Sequence, residues 1–407
     1  MATIKSGRRG YDTRLNRIEP NVVPNIIFTD RNLQESNFLT FLMRTKTRTT
    51  KGEVIEWDVD DWLPTSDLTN GTATATAVTI PVTNPLRFNR GKVVRVKRTG
   101  EHMKVTAVNQ ASSNITVMRG LGALNSGTGT AGAALVSGDT LTILGPAMGE
   151  NNRRQDTQTT VPTGVTAWTQ QMRWELEMSR RQMKRTFVDG GTEWDYQLKK
   201  TMDQARKDMN GIFLAQEGNA YVDEDEGYTT LTYGMRPVIT TNVLNAAGTL
   251  YQTPFNEWLF NSGMRKGPRN KVLVCSSAVL LALTEMFNDL AHFQVEMGDR
   301  KVSMGVNVMM YYAPNGGELM LVEDRFLTDN FDGEALLVAF GDKNFARAIF
   351  SGNGITDEIG IESDTEDPDD MGSTATIIGD TGLQWGDEAV HGRITGVTGG
   401  AKGRSVM

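Results

Sequence analysis

The feature that most constrains this chain is an amphipathic segment spanning residues 193–216. Its large apolar residues, Trp194, Leu198, Met202, Met209, Ile212 and Phe213, recur at steps of three and four or their sums, so they share one stripe of a helix. Burying six such side chains gives roughly 10 to 18 kcal/mol, against about 1 to 2 kcal/mol for each of about 24 backbone units to be ordered. The helix cannot stand alone and needs a sheet or a second helix against its stripe. Thr192 is placed to cap it, Glu193 and Asp195 are acids in its first turn, and Gly218 follows its end.

Spacing predicts a further helix over residues 167–187, with Trp168, Met172, Leu176, Met183 and Phe187 on one side and Arg173, Arg180, Arg181, Lys184 and Arg185 around it. Most of the remaining pattern is β. Residues 53–62, EVIEWDVDDW, alternate as a strand, and 151–166 read as an extended second limb running back alongside them. Between these limbs, residues 64–77 read as a projecting loop without core-forming content, and 88–147 as a compact module of four short strands. Residues 1–50 show no sustained periodicity; Pro20 and Pro24 break any helix, leaving 31–44 as the one short candidate. Downstream, 253–263 reads as a short helix, 271–275 as a buried strand feeding a helix over 276–287, and 302–312, 318–323 and 335–340 as strands of a mixed sheet. A last pair of strands is expected within 383–397. The class is α+β.

With 407 residues, 39% hydrophobic content and 42 glycines, the chain is large enough for two or three domains and rich in turns. A net charge of -7 argues against coating nucleic acid over the whole surface. Charge is unevenly placed. Residues 1–20 carry Lys5, Arg8, Arg9, Arg14 and Arg17 against Asp12 and Glu19, whereas 353–391 carries eleven carboxylates and neither Lys nor Arg. The arm is either a solvated tail or a surface for a polyanion or another copy. One cysteine, Cys275, excludes an intramolecular disulfide framework and fits a reducing compartment. The basic N-terminal stretch has no apolar core of the secretory kind, and the longest apolar run, 272–287, is too short and too interrupted to span a bilayer. A soluble cytosolic protein, with no membrane partner, is expected.

No catalytic, cofactor-binding or metal-binding set emerges. The glycines of GTGTAG, Gly127, Gly129 and Gly132, match a dinucleotide loop formally, but no helix follows to hold a pyrophosphate. His102, His292 and His391 are far apart and lack ligands at metal spacing. The carboxylates of DTEDPDD, residues 364–370, are either a solvated loop or oxygen ligands for a hard cation. Cys275 lies in an apolar run and reads as core. Nothing supports an enzyme.

The succession of basic arm, long hairpin, inserted β module, long helix and mixed sheet resembles the major capsid proteins of tailed double-stranded-DNA bacteriophages. Local segments carry the likeness: RVKRTGEHMKVTAV and ITVMRG within 95–120, DYQLKKTMDQARKDMNGIFL in the long helix, and LQWGDEAVHGRITGV near the end. That resemblance implies a Hong Kong 97-like capsid fold divided into an arm (1–50), a first loop limb (51–87), an inserted β domain (88–147), a second limb (148–166), a peripheral domain with a spine helix (167–235), an axial domain with returning strands (236–350), and C-terminal peripheral strands and tail (351–407). It implies a shell protein forming hexamers and pentamers, assembled in the host bacterial cytoplasm and residing in the virion. Expected partners are other copies, packaged DNA through weak nonspecific contacts, and scaffold, portal and decoration proteins. Trp57 and Trp62 are expected at inter-subunit contacts, since local apolar partners are too few to bury them, and Arg8, Arg9, Arg14 and Arg17 on the inner surface. Another virion component, from tail or connector, and a β-rich hydrolase are the alternatives.

Overall fold

The computed structural model describes residues 37–121, 132–150, 158–184, 192–224, 227–287, 309–313, 316–352, 355–356, 359–363 and 372–401. The chain forms two compact units, one of residues 58–165 and one of 1–57 with 166–407.

In the smaller unit six short strands pair antiparallel in the order Ser66–Leu68, Thr140–Pro146, Lys92–Val96, His102–Asn109, Asn114–Leu121 and Thr79–Pro81. A bridge from Thr69 to Val82, with Asn70 N–H donating to Pro81 O and Thr83 N–H to Leu68 O, joins the first strand to the last. The sheet therefore closes into a small barrel. Alternate residues point inward, so Val94 and Val96, Met103 and Val105, and Ile115 and Val117 fill it together with Ile80, Val82, Phe88 and Leu141. This corrects the reading of 64–77 as a coreless loop and of 88–147 as the whole module. Three-residue strands are too short to display alternation, and their stability comes from barrel partners such as the Asp67 carboxylate, buried and bonded to Arg87 at 3.1 Å.

One buried ion pair ties the barrel loops together. Arg119 meets Glu101 through Nε to Oε1 at 2.9 Å and Nη2 to Oε2 at 2.7 Å, and donates further to the carbonyls of Thr74 and Ala133. A buried pair offsets its desolvation only when its remaining donors and acceptors are bonded, and this guanidinium is bonded on every side. Gly132 explains itself here: a Cβ on it would lie 2.0 Å from Glu101 Oε1. Its role is to leave room for a carboxylate. Gly127 and Gly129 lie outside the described residues.

Among the described residues the larger unit holds two large sheets and a two-stranded one, Asn219–Asp223 with Gly227–Leu231. In the first, Lys46–Thr50, Ala346–Gly352, Gly372–Gln384, Thr163–Ser179 and Val54–Val59 lie side by side in that order. The strand Thr163–Ser179 corrects the helix expected over 167–187; among the described residues of that span only Arg180–Met183 is helical. The steps of four joining Trp168, Met172 and Leu176 fit period 2 as well as period 3.6, and Trp174 and Met178 at the intervening even positions decide for the strand. Met172 and Met178 are buried, while the odd residues Gln171, Arg173, Glu175 and Glu177 are exposed.

This strand helps cover the spine helix. The helix runs Glu193–Ala215, and the Thr192 hydroxyl accepts from Asp195 N–H at its start. Trp174 Nε1 donates to Asp208 at 3.0 Å, so the even residues of the strand face the helix. The C-terminal half of the apolar stripe, Ala205, Met209 and Phe213, is buried, and Trp194, Leu198 and Met202 are half-buried. Gly211 lets Phe326 approach: a Cβ there would meet its ring at 2.6 Å.

The second sheet is mixed, in the order Val243–Tyr251, Gly392–Ala401, Ala335–Val338, Lys271–Cys275, Glu318–Glu323 and Met309–Tyr312. Helices Gln252–Trp258 and Ser277–Phe287 cover one face with Phe255, Leu259, Val279 and Leu283 against Leu273, Leu321, Leu337 and Ile394. Cys275 is buried there, and burial pushes its thiol up to about 12, so it is an inert core residue. The pair expected within 383–397 divides between the two sheets, one strand ending at Gln384 and the other starting at Gly392. Residues 302–308 lie outside the described ones.

Replacing Gly132 with Ala should displace Glu101 from Arg119 and cost about 1 to 3 kcal/mol. Urea unfolding of the full chain would measure it, and an unchanged midpoint would mean that the pair does not depend on that gap.

Candidate assembly surfaces

Three features stand out where the chain fastens its own extended parts and leaves others exposed. The first is the docking of the arm's end. Residues 37–50 are not free arm, as their lack of long periodicity suggests, but a helix, Asn37–Arg44, followed by a strand in the first sheet. Phe38, Leu39 and Leu42 are buried. Asp324 is the anchor: it accepts from Phe38 N–H at 3.1 Å, from Phe326 N–H at 3.0 Å and from Asn210 Nδ2, while Asn210 Oδ1 accepts from Leu39 N–H. One carboxylate thus serves the first turns of two helices, where orphan N–H groups gather, and binds both to the spine helix. Burial pushes its pKa up, and the N–H donors oppose that shift.

The second feature is the root of the first limb. Trp57 is half-buried, stacks edge-on against Trp385 with ring centres 4.8 Å apart, and donates from Nε1 to Gly386 O at 2.9 Å. Tyr233 meets Trp385 in turn at 5.3 Å, and Trp168 stacks on Tyr233 at 5.7 Å. The expectation that Trp57 lacks intramolecular partners is therefore corrected. Its partners are Trp385 and Gly386, which no local window contains. Behind Trp385 lies His391, fully buried, with Nε2 donating to Trp385 O at 2.9 Å and Nδ1 accepting from Ala339 N–H. Burial, assisted by Lys271, holds the imidazole at about 4, against the weaker opposing pull of Trp385 O, Asp342 and Asp387.

The third feature is the far part of the limbs. Trp62 is 92% exposed and Val161 83%, with Leu63 also exposed. Both large residues lie within two positions of the bond from Thr160 Oγ1 to Asp60 Oδ2. An indole so placed gains nothing within the subunit and is suited to burial against something else. Arg8, Arg9, Arg14 and Arg17 lie outside the described residues, as does the 364–370 carboxylate run. Among the described residues no three His, Cys, Asp or Glu side chains gather into a metal-binding group, and no helix is long and apolar enough to cross a membrane.

Residues 8–398 match the model of the family described as SU10 major capsid protein. The chain belongs to that family. Its members are structural capsid proteins rather than enzymes, which sets aside the hydrolase alternative and the tail or connector one. No curated protein matches this chain in sequence. Among solved structures it is similar to the capsid of an empty GTA particle, at 10% identity and a TM-score of 0.48 over 94% of this chain and 96% of that one. The capsid of a native GTA particle gives 8% identity and 0.46 over 97% and 99%. An encapsulin complex from Synechococcus elongatus PCC 7942 gives 8% and 0.40 over 61% and 81%. The family match carries the assignment: this is a major capsid protein of a virion, an α+β subunit whose copies self-assemble into a shell.

The His391 pocket makes stability depend on pH in a definite direction. Its folded pKa lies below the ordinary value of 6.5, so the unfolded chain takes up a proton that the folded pocket refuses. The contribution is complete above pH 6.5 and is lost as pH falls toward 4, worth on the order of 3 kcal/mol across that window. Urea unfolding at a series of pH values should show His391→Gln losing less stability than the parent between 6.5 and 4; parallel curves would exclude the effect.

Proposed function

We propose that the subunits meet as hexamers and pentamers and close around double-stranded DNA, with the two limbs at residues 58–64 and 158–165 clasping a neighbouring copy. The observation that supports this reading is the exposure of Trp62 and Val161, two large apolar side chains on adjoining limbs. Covering them against another copy would remove on the order of 200 Å² of apolar surface and stabilise each contact by several kcal/mol. Individually modest contacts repeated around a closed shell give a durable particle, because each bond made raises the effective concentration for the next.

The division of labour between the two tryptophans follows from their surroundings. Trp57 holds the limb's root to its own subunit through Trp385 and Gly386, and Trp62 serves the neighbour. The barrel of residues 58–165, with its own core, sits on the particle exterior or at a junction between subunits. Arg8, Arg9, Arg14 and Arg17 face inward, where they contact DNA phosphates or acidic patches of adjacent copies; with a net charge of about +3 over residues 1–20 such contacts are weak and read no sequence. Scaffold, portal and decoration proteins complete the particle, which assembles in the host bacterial cytoplasm.

Trp62→Ser should leave the unfolding midpoint of the subunit unchanged and reduce shell yield, whereas Trp57→Ser should destabilise the subunit by about 3 to 5 kcal/mol. Calorimetry and electron microscopy on both variants would test this. Normal shells from Trp62→Ser would rule out the clasp.

A further inference from the structure

The outward side of the small barrel carries a basic patch that no described carboxylate neutralises, and we propose that it docks an acidic surface of a second copy of this chain, at the strand that carries Glu362. The inference deepens the reading above and rests on its placing the barrel at a junction between subunits.

The charge of the barrel runs against that of the chain. Residues 65–148 hold eight Lys and Arg against three Asp and Glu, a balance of +5 in a chain of -7, so all other residues together carry -12. Each of the three acids is cancelled by an arginine: Asp67 by Arg87 at 3.1 Å, Glu101 by Arg119 at 2.7 Å and Asp139 by Arg98 at 2.7 Å. Five bases remain. Arg90 and Lys92 stand toward the limbs, where Lys92 bonds Gln158. Among the described residues no carboxylate pairs with the other three, Arg95, Lys97 and Lys104.

Strand register gathers those three. Val94, Val96, Met103 and Val105 fill the barrel, so the alternate residues Arg95, Lys97 and Lys104 point outward. Arg95 stands opposite His102 on one neighbouring strand and Thr142 on the other, and Lys104 stands opposite Val93 and Met118. Lys104 is thus the diagonal neighbour of Arg95, about 7 to 8 Å away, and Lys97 follows Arg95 by two positions on the same face. Like charges this close repel, a cost to the lone subunit that an opposing anionic surface removes.

The frame of the patch selects a protein as the occupant. Met118 is 49% and Leu144 55% exposed, the first beside Lys104 and the second at the bulge of the strand beyond Arg95. Nucleic-acid surfaces are polar and wet, and single strands need aromatic platforms, whereas Phe88, buried, is the single Phe, Tyr or Trp in residues 65–148. Arginine and methionine together are enriched where proteins meet. The matching surface belongs to the chain itself. Residues 353–391 hold eleven carboxylates and neither Lys nor Arg. Within them the strand Gly360–Ser363 pairs on one side with Gly372–Gln384, and its Ile361 and Glu362 are both exposed, an apolar side chain next to an acid. One patch meeting a different patch on the next copy is a heterologous contact, the kind that repeats around a closed ring.

The test uses shells assembled from an equal mixture of isotopically heavy and light full-length chain, treated with a carbodiimide, which joins an ammonium to a carboxylate in direct contact. Peptide mass spectrometry should find Lys97 or Lys104 linked to Glu362 or its neighbouring acids, with heavy and light halves combined. Separately, R95Q/K97Q/K104Q should keep the unfolding midpoint of the unassembled subunit and raise the concentration for half-assembly by roughly 3- to 30-fold, as the loss of three exposed ion pairs would. Its assembly should also depend less on salt, and R95K should behave as the parent. Links confined to single-isotope pairs would place the contact within one subunit and overturn the proposal. So would an absence of links, assembly of the triple variant at the parent's concentration, or normal assembly with a fall in DNA content, which would make DNA the occupant. If the parent chain forms no shell, the reading of function fails; if shells form without the links, only this contact fails.

Discussion

The cover over the spine helix is the interaction on which the rest of the larger unit depends. A helix of 23 residues with one apolar side must be held by a surface, and the first sheet supplies it: the strand Gly372–Gln384 approaches the helix, and Trp174 on the seventeen-residue strand bonds Asp208. The arm helix is fastened to the same helix through Asp324 and Asn210. Two mechanically distinct parts, arm and sheet, are thus registered against the spine helix.

The sequence was most legible where a period was long and unambiguous. The spine helix, its Thr192 cap and the core strand at Lys271–Cys275 followed from spacing and cap chemistry, and the order of parts led to the capsid family. The strand at Thr163–Ser179 was misread because steps of four satisfy two periods at once, and arginines scattered among them looked like a wet helix face. The early barrel strands were invisible for a different reason. Three residues show no period, and what stabilises them is pairing with strands more than thirty positions away.

Candidate assembly residues divide along the same line. Trp62 was expected to lack a cover because nothing nearby in sequence could bury it, and among the described residues it stays exposed. Trp57 looked identical by that criterion, yet Trp385 and the Gly386 carbonyl reach it from a distant segment. A local window sees apolar content and cannot see topology.

The closure of the small barrel has a consequence for a protein that exists in many copies at high density. An open six-stranded sheet would present two rows of unpaired backbone groups, each a template for another chain. Joining Thr69 to Val82 hides those templates inside each subunit. Subunits crowded together during assembly then have fewer ways of sticking wrongly, and adhesion is left to side chains that evolution can tune one at a time.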